Sequence, residues 1–584
     1  MRHFRAISFI LLQFCFFRNI LPAQVAQVFQ EEAGPRNVML LLKDKPRPSD
    51  DVVLFSPAAA RRRLLQGIVA DSLDWPLNEN YMQQVAALSG VRIRGRSRWM
   101  NALLAEVRDS NSFNRIASLP FVIGVQDMGP AIPQRSLTDS AFETAPGWTN
   151  ASEPESLTRL RNQPLLQLAT RGYGMSYESL KAMNGIRLHD LGFRGKGMLI
   201  AVLDAGFPGV DRIAAFDSLR AAGRILATRD FVNNREWVYG YSDHGTRVLG
   251  CMAANLPDML KGSAPEASYL LLRTEDADSE WPVETFYWLS AAEFADSMGA
   301  DIINSSLGYT SFDDPNRFGL HREDLDGKTA LISKAARMAA SRGMLVLNAA
   351  GNEGDGYWER ISAPADAPDI LSVGATDADG NSASFSGYGP SADGRLKPEV
   401  AAPGVDIPLV QASCDFTEGS GTSYATPLLS GLAACLWQSV PRMDAVTLRE
   451  AIIGSAHRGS YTDPQQGHGI PDFFSALSLL GSNPYFRADV TQLLSEIPET
   501  ILQDHLFIRV YAGSEGNFRY ALFSRGNTKK PVAVGSMNLA ARQTGVFRVA
   551  PLEHPGPYMM QLSGPGGFSR IYHINKNIIS EKPR

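Results

Sequence analysis

The chain has 584 residues, 44% of them hydrophobic and 20% charged, and a net charge of -5. That length exceeds a single core and predicts two to four domains, while the composition excludes a disordered polymer. A charge of this size and sign excludes a general attraction to nucleic acid or anionic lipid.

The first residues, MRHFRAISFILLQFCFFRNILPAQ, carry Arg2, His3 and Arg5, then a mostly apolar run from Ala6 to Phe17, then small residues near Ala23. This predicts a secretory signal peptide over 1–23, too short to span a bilayer, with cleavage expected between Ala23 and Gln24. Next, RNVMLLLKDKP from Arg36 reads as a strand, SPAAARRRLLQGI as a helix, VRIRGRSRWMNALLAEV as strands, and SFNRIASLPFVIGVQDM as a helix then a strand. Residues 36–130 are thus expected to form a small α+β domain, with Arg61 to Arg63 on a solvated helix face. A stretch rich in Ser, Thr, Glu and Pro, 131–175, reads as an exposed linker.

From 176 to 481 short apolar strands alternate with longer helices. MLIAVLD, ASYLLLRT, DIINSSL, MLVLNAA and ILSVGAT are the strands; VETFYWLSAAEFADSMG and TALISKAARMAASRG are helices between them. Continuous apolar strands of this kind predict an α/β domain, a doubly wound and mostly parallel sheet covered on both faces. Sites in such folds form beyond the carboxyl ends of the strands. From 482 to 584 the segments LFIRVYA, FRYALFS, PVAVGSM, VFRVA, PYMMQLS and FSRIYHIN, parted by Gly, Pro and Asn, predict a β-sandwich.

Cys15 leaves with the signal, so the exported chain keeps Cys251, Cys414 and Cys435, an odd number with no metal-ligand spacing. Cys251 and Cys435 lie in apolar helical runs and are expected in the core.

Four residues fall where chemistry is expected. Asp204 ends the strand MLIAVLD, His244 opens a helix in YSDHGTRVLGCMAANL, Asn352 follows a strand in MLVLNAAGNEGD, and Ser423 stands before an apolar helix in EGSGTSYATPLLSGLAACLW. Taken singly they read as a turn cap, a structural histidine, a turn asparagine and a helix N-cap, for which Thr422 or Ser423 supplies the hydroxyl. Together they supply an acid, a base, an amide donor and a nucleophile at one sheet edge, in the chain order Asp, His, Ser.

LDAG, DHGT, AAGNEG and GTSYATP resemble, in order, the Asp, His, oxyanion-Asn and Ser blocks of the subtilisin-family serine proteases, the subtilases. INSSLGY, with Ser306, Leu307 and Gly308, resembles the family strand that binds substrate backbone, and KPEVAAPG at Lys397 to Gly404 resembles another family block. The resemblance implies a subtilisin-like fold and a secreted serine endopeptidase with Asp204, His244 and Ser423 as its triad and Asn352 in the oxyanion hole. Its partners would be protein or peptide substrates and not nucleic acid. Two positions depart from the family: Ala205, where a hydroxyl residue usually follows the Asp, and Tyr424, where Met is commonest. The 36–130 domain resembles subtilase propeptides, which occupy the active-site cleft as intramolecular inhibitors until removed. The C-terminal hundred residues resemble sorting domains of the Bacteroidetes type IX secretion system. That likeness implies the type IX secretion machinery as a partner and a location outside the cell or on its surface. The chemistry requires no cofactor; structural calcium is left open, since no loop has EF-hand spacing. A catalytically silent subtilase fold used for binding is the alternative, and it would be expected to lack a triad member. An esterase elbow is absent around Ser423, and the His of DHGT separates the chain from sedolisin-type peptidases, which use Glu there.

Overall fold

The computed structural model describes residues 34–49, 52–131, 172–413, 415–482, 506–511, 516–524, 531, 533–539, 544–549, 558–563 and 569–574. The expected signal peptide, nearly all of the expected linker, and Cys414 lie outside them. The chain divides into two units, Met1–Leu480 and Gly481–Arg584.

The first unit begins with an antiparallel sheet of β1 (Arg36–Leu42), β2 (Val91–Ser97), β3 (Ala102–Val107) and β4 (Val122–Pro130), in the order β2-β3-β1-β4. Three helices accompany it: α1 (Pro57–Leu65), α2 (Glu79–Ala86) and α3 (Ser110–Ala117). Alternating side chains reach two covered faces, which explains the unbroken apolar runs Val38–Leu42 of β1 and Ala102–Ala105 of β3. Val38, Leu40, Leu103, Ala105 and Val107 pack with Val85, Phe113 and Ile116 from the domain's own helices. Met39, Ala102 and Leu104 join Trp99 and Met128 in the core of the larger domain.

That larger domain holds a seven-stranded sheet in the order β13-β12-β11-β10-β5-β9-β6. Its strands are β5 (Leu199–Asp204), β6 (Ile225–Asp230), β9 (Ser268–Arg273), β10 (Ile302–Ser305), β11 (Leu345–Ala349), β12 (Leu371–Thr376) and β13 (Val400–Pro403), all pairing in parallel. Short antiparallel hairpins join β7 (Asn255–Leu256) to β8 (Leu260–Lys261) and β14 (Ile407–Val410) to β15 (Phe416–Gly419). The helices that matter here are α4 (His244–Ala253), α5 (Val283–Met298), α6 (Leu331–Ser341) and α7 (Thr422–Ser439). Cys251 on α4 and Cys435 on α7 are both buried, as expected.

Helix α5 is buried around most of its circumference because the smaller domain covers it on the outside. The sequence reading of Arg61 to Arg63 as a solvated face holds for Arg61, which is exposed, and needs correction for the other two. Arg62 and Arg63 are 4% and 2% exposed. Both guanidinium groups meet the Asp296 carboxylate of α5, Arg63 at 2.7 Å, and Arg63 also pairs with Asp74 at 2.9 Å. The long side chains are buried because a paired carboxylate waits on a distant helix, which local sequence cannot reveal. Glu293, one turn before Asp296, accepts from the Arg98 N–H at 2.8 Å, the Trp99 N–H at 3.2 Å and the Ser97 hydroxyl. From α6, Arg342 pairs with Asp71 at 3.0 Å and Asp74 at 3.2 Å.

In the second unit all six expected strands are present, β16 (Leu506–Tyr511), β17 (Gly516–Ser524), β18 (Ala533–Leu539), β19 (Thr544–Val549), β20 (Tyr558–Ser563) and β21 (Ser569–Ile574). They form an antiparallel pair, β16-β19, and an antiparallel sheet, β18-β17-β20-β21.

Candidate active site

Parallel pairing of β5, β10 and β11 puts their carboxyl ends on one rim, and each delivers an expected residue there. Asp204 is the last residue of β5, Ser306 follows β10, and Asn352 lies just beyond β11. His244 is the first residue of α4 and Ser423 the second of α7.

The Asp204 carboxylate is fully buried, and its Oδ1 meets His244 Nδ1 at 2.8 Å. The same oxygen accepts the Ala205 N–H at 2.8 Å. Its Oδ2 is buried and takes no hydrogen bond among the described residues, and alanine at 205 has no hydroxyl to offer it. Burial pushes the His244 imidazolium toward proton loss, but the charge and hydrogen bond of Asp204 outweigh it, so its pKa lies above the ordinary value. Gly245 explains the closeness of the contact. A Cβ there would stand 2.3 Å from the Gly206 carbonyl and 3.0 Å from Asp204 Cβ, so only glycine lets α4 butt against the turn after β5. The Thr246 hydroxyl then bonds the Pro208 carbonyl at 2.8 Å, fixing the helix to that turn.

The N-cap reading of the serine is corrected. Gly421 is the cap of α7 and has no side chain to bond the first turn, and Ser423 Oγ instead donates to the Ser306 carbonyl at 3.1 Å. Pro427 has no N–H to return to the Ser423 carbonyl four residues back. That carbonyl is taken by Ser306 Oγ at 2.9 Å, so the serine turn and the segment after β10 are tied twice. Asn352 Oδ1 accepts from both the Thr422 N–H and the Thr422 hydroxyl at 2.9 Å, which leaves Nδ2 as its outward group. Asn352 Nδ2 and Ser423 N both lie 3.7 Å from one point, the Cβ position that Gly421 lacks. Both amide nitrogens therefore flank the Gly421 turn that leads into the serine.

Tyr424, noted in the sequence as a departure, and residues the sequence did not single out also shape the rim. The Tyr424 ring lies 6.0 Å from the His244 ring, and Arg247, which forms an ion pair with Asp243 at 2.9 Å, hydrogen-bonds Tyr424. Tyr309, directly after Gly308, points inward to Glu275 beyond β9. The signal for Glu275 was its place two residues past a strand end on this same rim.

An acid–imidazole pair, an alcohol and amide donors gathered on one rim are the residue types that serine hydrolases use. Comparison with known proteins specifies the class. Residues 195–469 match the model of the Subtilase family, and residues 37–141 match that of the Peptidase S8 propeptide domain, Bacteroidota. Subtilisin Savinase of Lederbergia lenta is 31% identical over 269 residues, covering 46% of this chain and 86% of the relative. M-protease of Shouchella clausii is 29% identical over 323 residues, covering 54% and 75%. The solved structure of the prenylagaramide maturation protease PagA aligns with a TM-score of 0.41 at 25% identity, covering 51% of this chain and 98% of that one. The chain belongs to the subtilase family. It is a subtilisin-like serine endopeptidase made as a zymogen, with a propeptide domain ahead of the catalytic one. Among the described residues no helix is long and apolar enough to cross a membrane.

Proposed function

We propose that Ser423 is the nucleophile, His244 its general base and Asp204 the carboxylate that orients the imidazole. The observation that carries this is the 2.8 Å contact between His244 and the buried Asp204, on the rim where Ser423 also lies. Catalysis requires the Ser423 hydroxyl to leave the Ser306 carbonyl for the second imidazole nitrogen, a contact that such enzymes commonly complete only with substrate bound. Attack on the scissile carbonyl passes the Ser423 proton to His244, which returns it to the leaving amine; water then hydrolyses the acyl-enzyme. Asn352 Nδ2 and the Ser423 N–H stabilise the oxyanion, and the segment Ser306–Leu307–Gly308 pairs with substrate backbone.

The chain is read as a secreted or surface protease with a signal peptide over 1–23, a propeptide domain over 36–130, a processed linker over 131–175, a catalytic domain over 176–481 and a C-terminal sorting domain of the type IX class over 482–584. Support for the propeptide acting as an inhibitor comes from its exit strand. Gly129 of β4 lies so close to Trp281, beyond the end of β9, that a Cβ there would fall 2.8 Å from the indole. The six C-terminal strands support a β-sandwich for the sorting domain. No triad member is missing, which disfavours a silent binding protein.

Comparing the full-length chain with Ser423→Ala tests the assignment. Wild type is expected to shed its N-terminal domain and to react with an active-site serine probe, while the variant stays full length and unlabelled. Equal labelling of the two would remove Ser423 from the mechanism.

A further inference from the structure

Beside the proposed substrate strand, Tyr309 is 1% exposed, and its ring stacks on Phe312 with centroids 5.7 Å apart. Its hydroxyl donates to Glu275 Oε2, while Glu275 Oε1 accepts from Thr274 Oγ1 at 2.9 Å. The Thr274 N–H in turn donates to the Asp204 carbonyl at 2.9 Å, so the network reaches the triad strand. Glu280 and Glu284 bring carboxylate oxygens within 4.8 Å of that of Glu275. Glu284 accepts the N–H groups of Asp276 at 2.7 Å and Trp281 at 3.2 Å, winding the intervening loop around itself. Across from this loop, the Asp313 N–H donates to the Glu280 carbonyl at 2.9 Å and the Glu280 N–H donates to the Asp313 carboxylate at 3.1 Å. The segment 274–281 is therefore sewn to 309–313, and the two continue from β9 and β10, the strands that flank β5.

Among the described residues no lysine or arginine forms an ion pair with any of these three glutamates. Arg273, whose charge reaches Glu275, is paired with Asp230 at 3.2 Å and Asp276 at 3.4 Å. The other groups facing the cluster are Asp204 from β5, Tyr309 and Asp313 from the segment after β10, and Tyr287 from α5. Burial, then mutual repulsion, pushes Glu280 up to about 8 and Glu284 well above the usual range; burial, against the Tyr309 bond, pushes Glu275 up to about 7. Carboxylates this close repel one another when charged, which disfavours full ionisation of the set near neutrality.

We propose that Tyr309 and the clustered Glu275, Glu280 and Glu284 are positioning residues that hold 274–281 against the substrate strand. Full ionisation of the cluster loosens that side of the cleft by mutual repulsion and raises KM without changing kcat. This rests on the peptidase reading and on Ser306–Gly308 as the substrate strand. The sign follows from the direction of the shifts: acid groups with raised pKa favour the closed arrangement when protonated, and that contribution is lost as pH rises through about 7 to 8.

The test is steady-state hydrolysis of a fluorogenic peptide, from pH 6 to pH 9.5, by the full-length chain after it has processed itself, compared with Glu280→Gln and Tyr309→Phe. Wild-type KM is expected to rise about tenfold across this range, Glu280→Gln to flatten the rise to about threefold or less, and Tyr309→Phe to raise KM about fivefold at pH 7 with kcat kept within about twofold. A flat wild-type KM, a Glu280→Gln rise as steep as wild type, or a rise abolished by millimolar calcium would overturn the inference while leaving the peptidase reading intact. Absence of Ser423-dependent turnover in the wild type would instead sink the peptidase reading, and this inference with it.

Discussion

Asn352 shows how one side chain is prepared for its role by a neighbour. Two donors from Thr422 occupy its carbonyl oxygen, which fixes the amide plane and commits Nδ2 to the space beside Ser423. Replacing it with alanine removes a bond formed fully only when the oxygen becomes negative. Asn352→Ala is therefore expected to lower kcat by about 10²–10³ while KM stays near the wild-type value. A raised KM with unchanged kcat, measured on the same peptide, would assign Asn352 to ground-state binding. Each of Asp204, His244, Asn352 and Ser423 was legible in the sequence because each sits at an abrupt change from an apolar run to a loop or helix. Tyr309 was not, since its importance arises from a contact across 34 residues of chain that no local pattern encodes, and Glu275 was marked only by its place past a strand end.

At the scale of elements, the central strands could be read directly because both faces of a covered parallel sheet are apolar. The strands not foreseen are the two at its edges. β6, ILATRD, is mostly half-exposed and mixes polar with apolar residues, while β13 is only four residues long inside the block KPEVAAPG. The helix α2 also escaped, since ENYMQQVA buries only Val85 fully. Among the catalytic elements α4 has the least freedom to move, because Gly245 sets its distance from the turn after β5. Gly245→Ala is expected to displace His244 from Asp204 and to lower kcat about 10²-fold per active site, the size associated with a displacement of about 1 Å. Active-site titration alongside kinetics separates this from loss of folded enzyme, and an unchanged kcat would show that the helix tolerates the shift.

For the whole molecule, the main lesson is that the propeptide domain is held by charge as well as by apolar surface. Arg62 and Arg63 share Asp296, and removing one member of a buried ionic cluster strands the others. Asp296→Ala is expected to weaken inhibition of the processed enzyme by its separated N-terminal domain by about 10²–10³-fold. The melting temperature of the processed enzyme should change little, since Asp296 faces outward once that domain has gone. An inhibition constant equal to wild type would leave the apolar contacts as the whole of the attachment.

The two buried thiols have a practical consequence of their own. Burial pushes Cys251 up to about 12 and Cys435 well above the ordinary thiol range, so neither offers a thiolate for exchange or alkylation while the fold stays closed. One lies on the helix that begins with His244 and the other on the helix that carries Ser423. Alkylation followed by peptide mapping would thus read the integrity of the catalytic pair itself, each helix carrying an internal gauge that registers only when its own packing gives way.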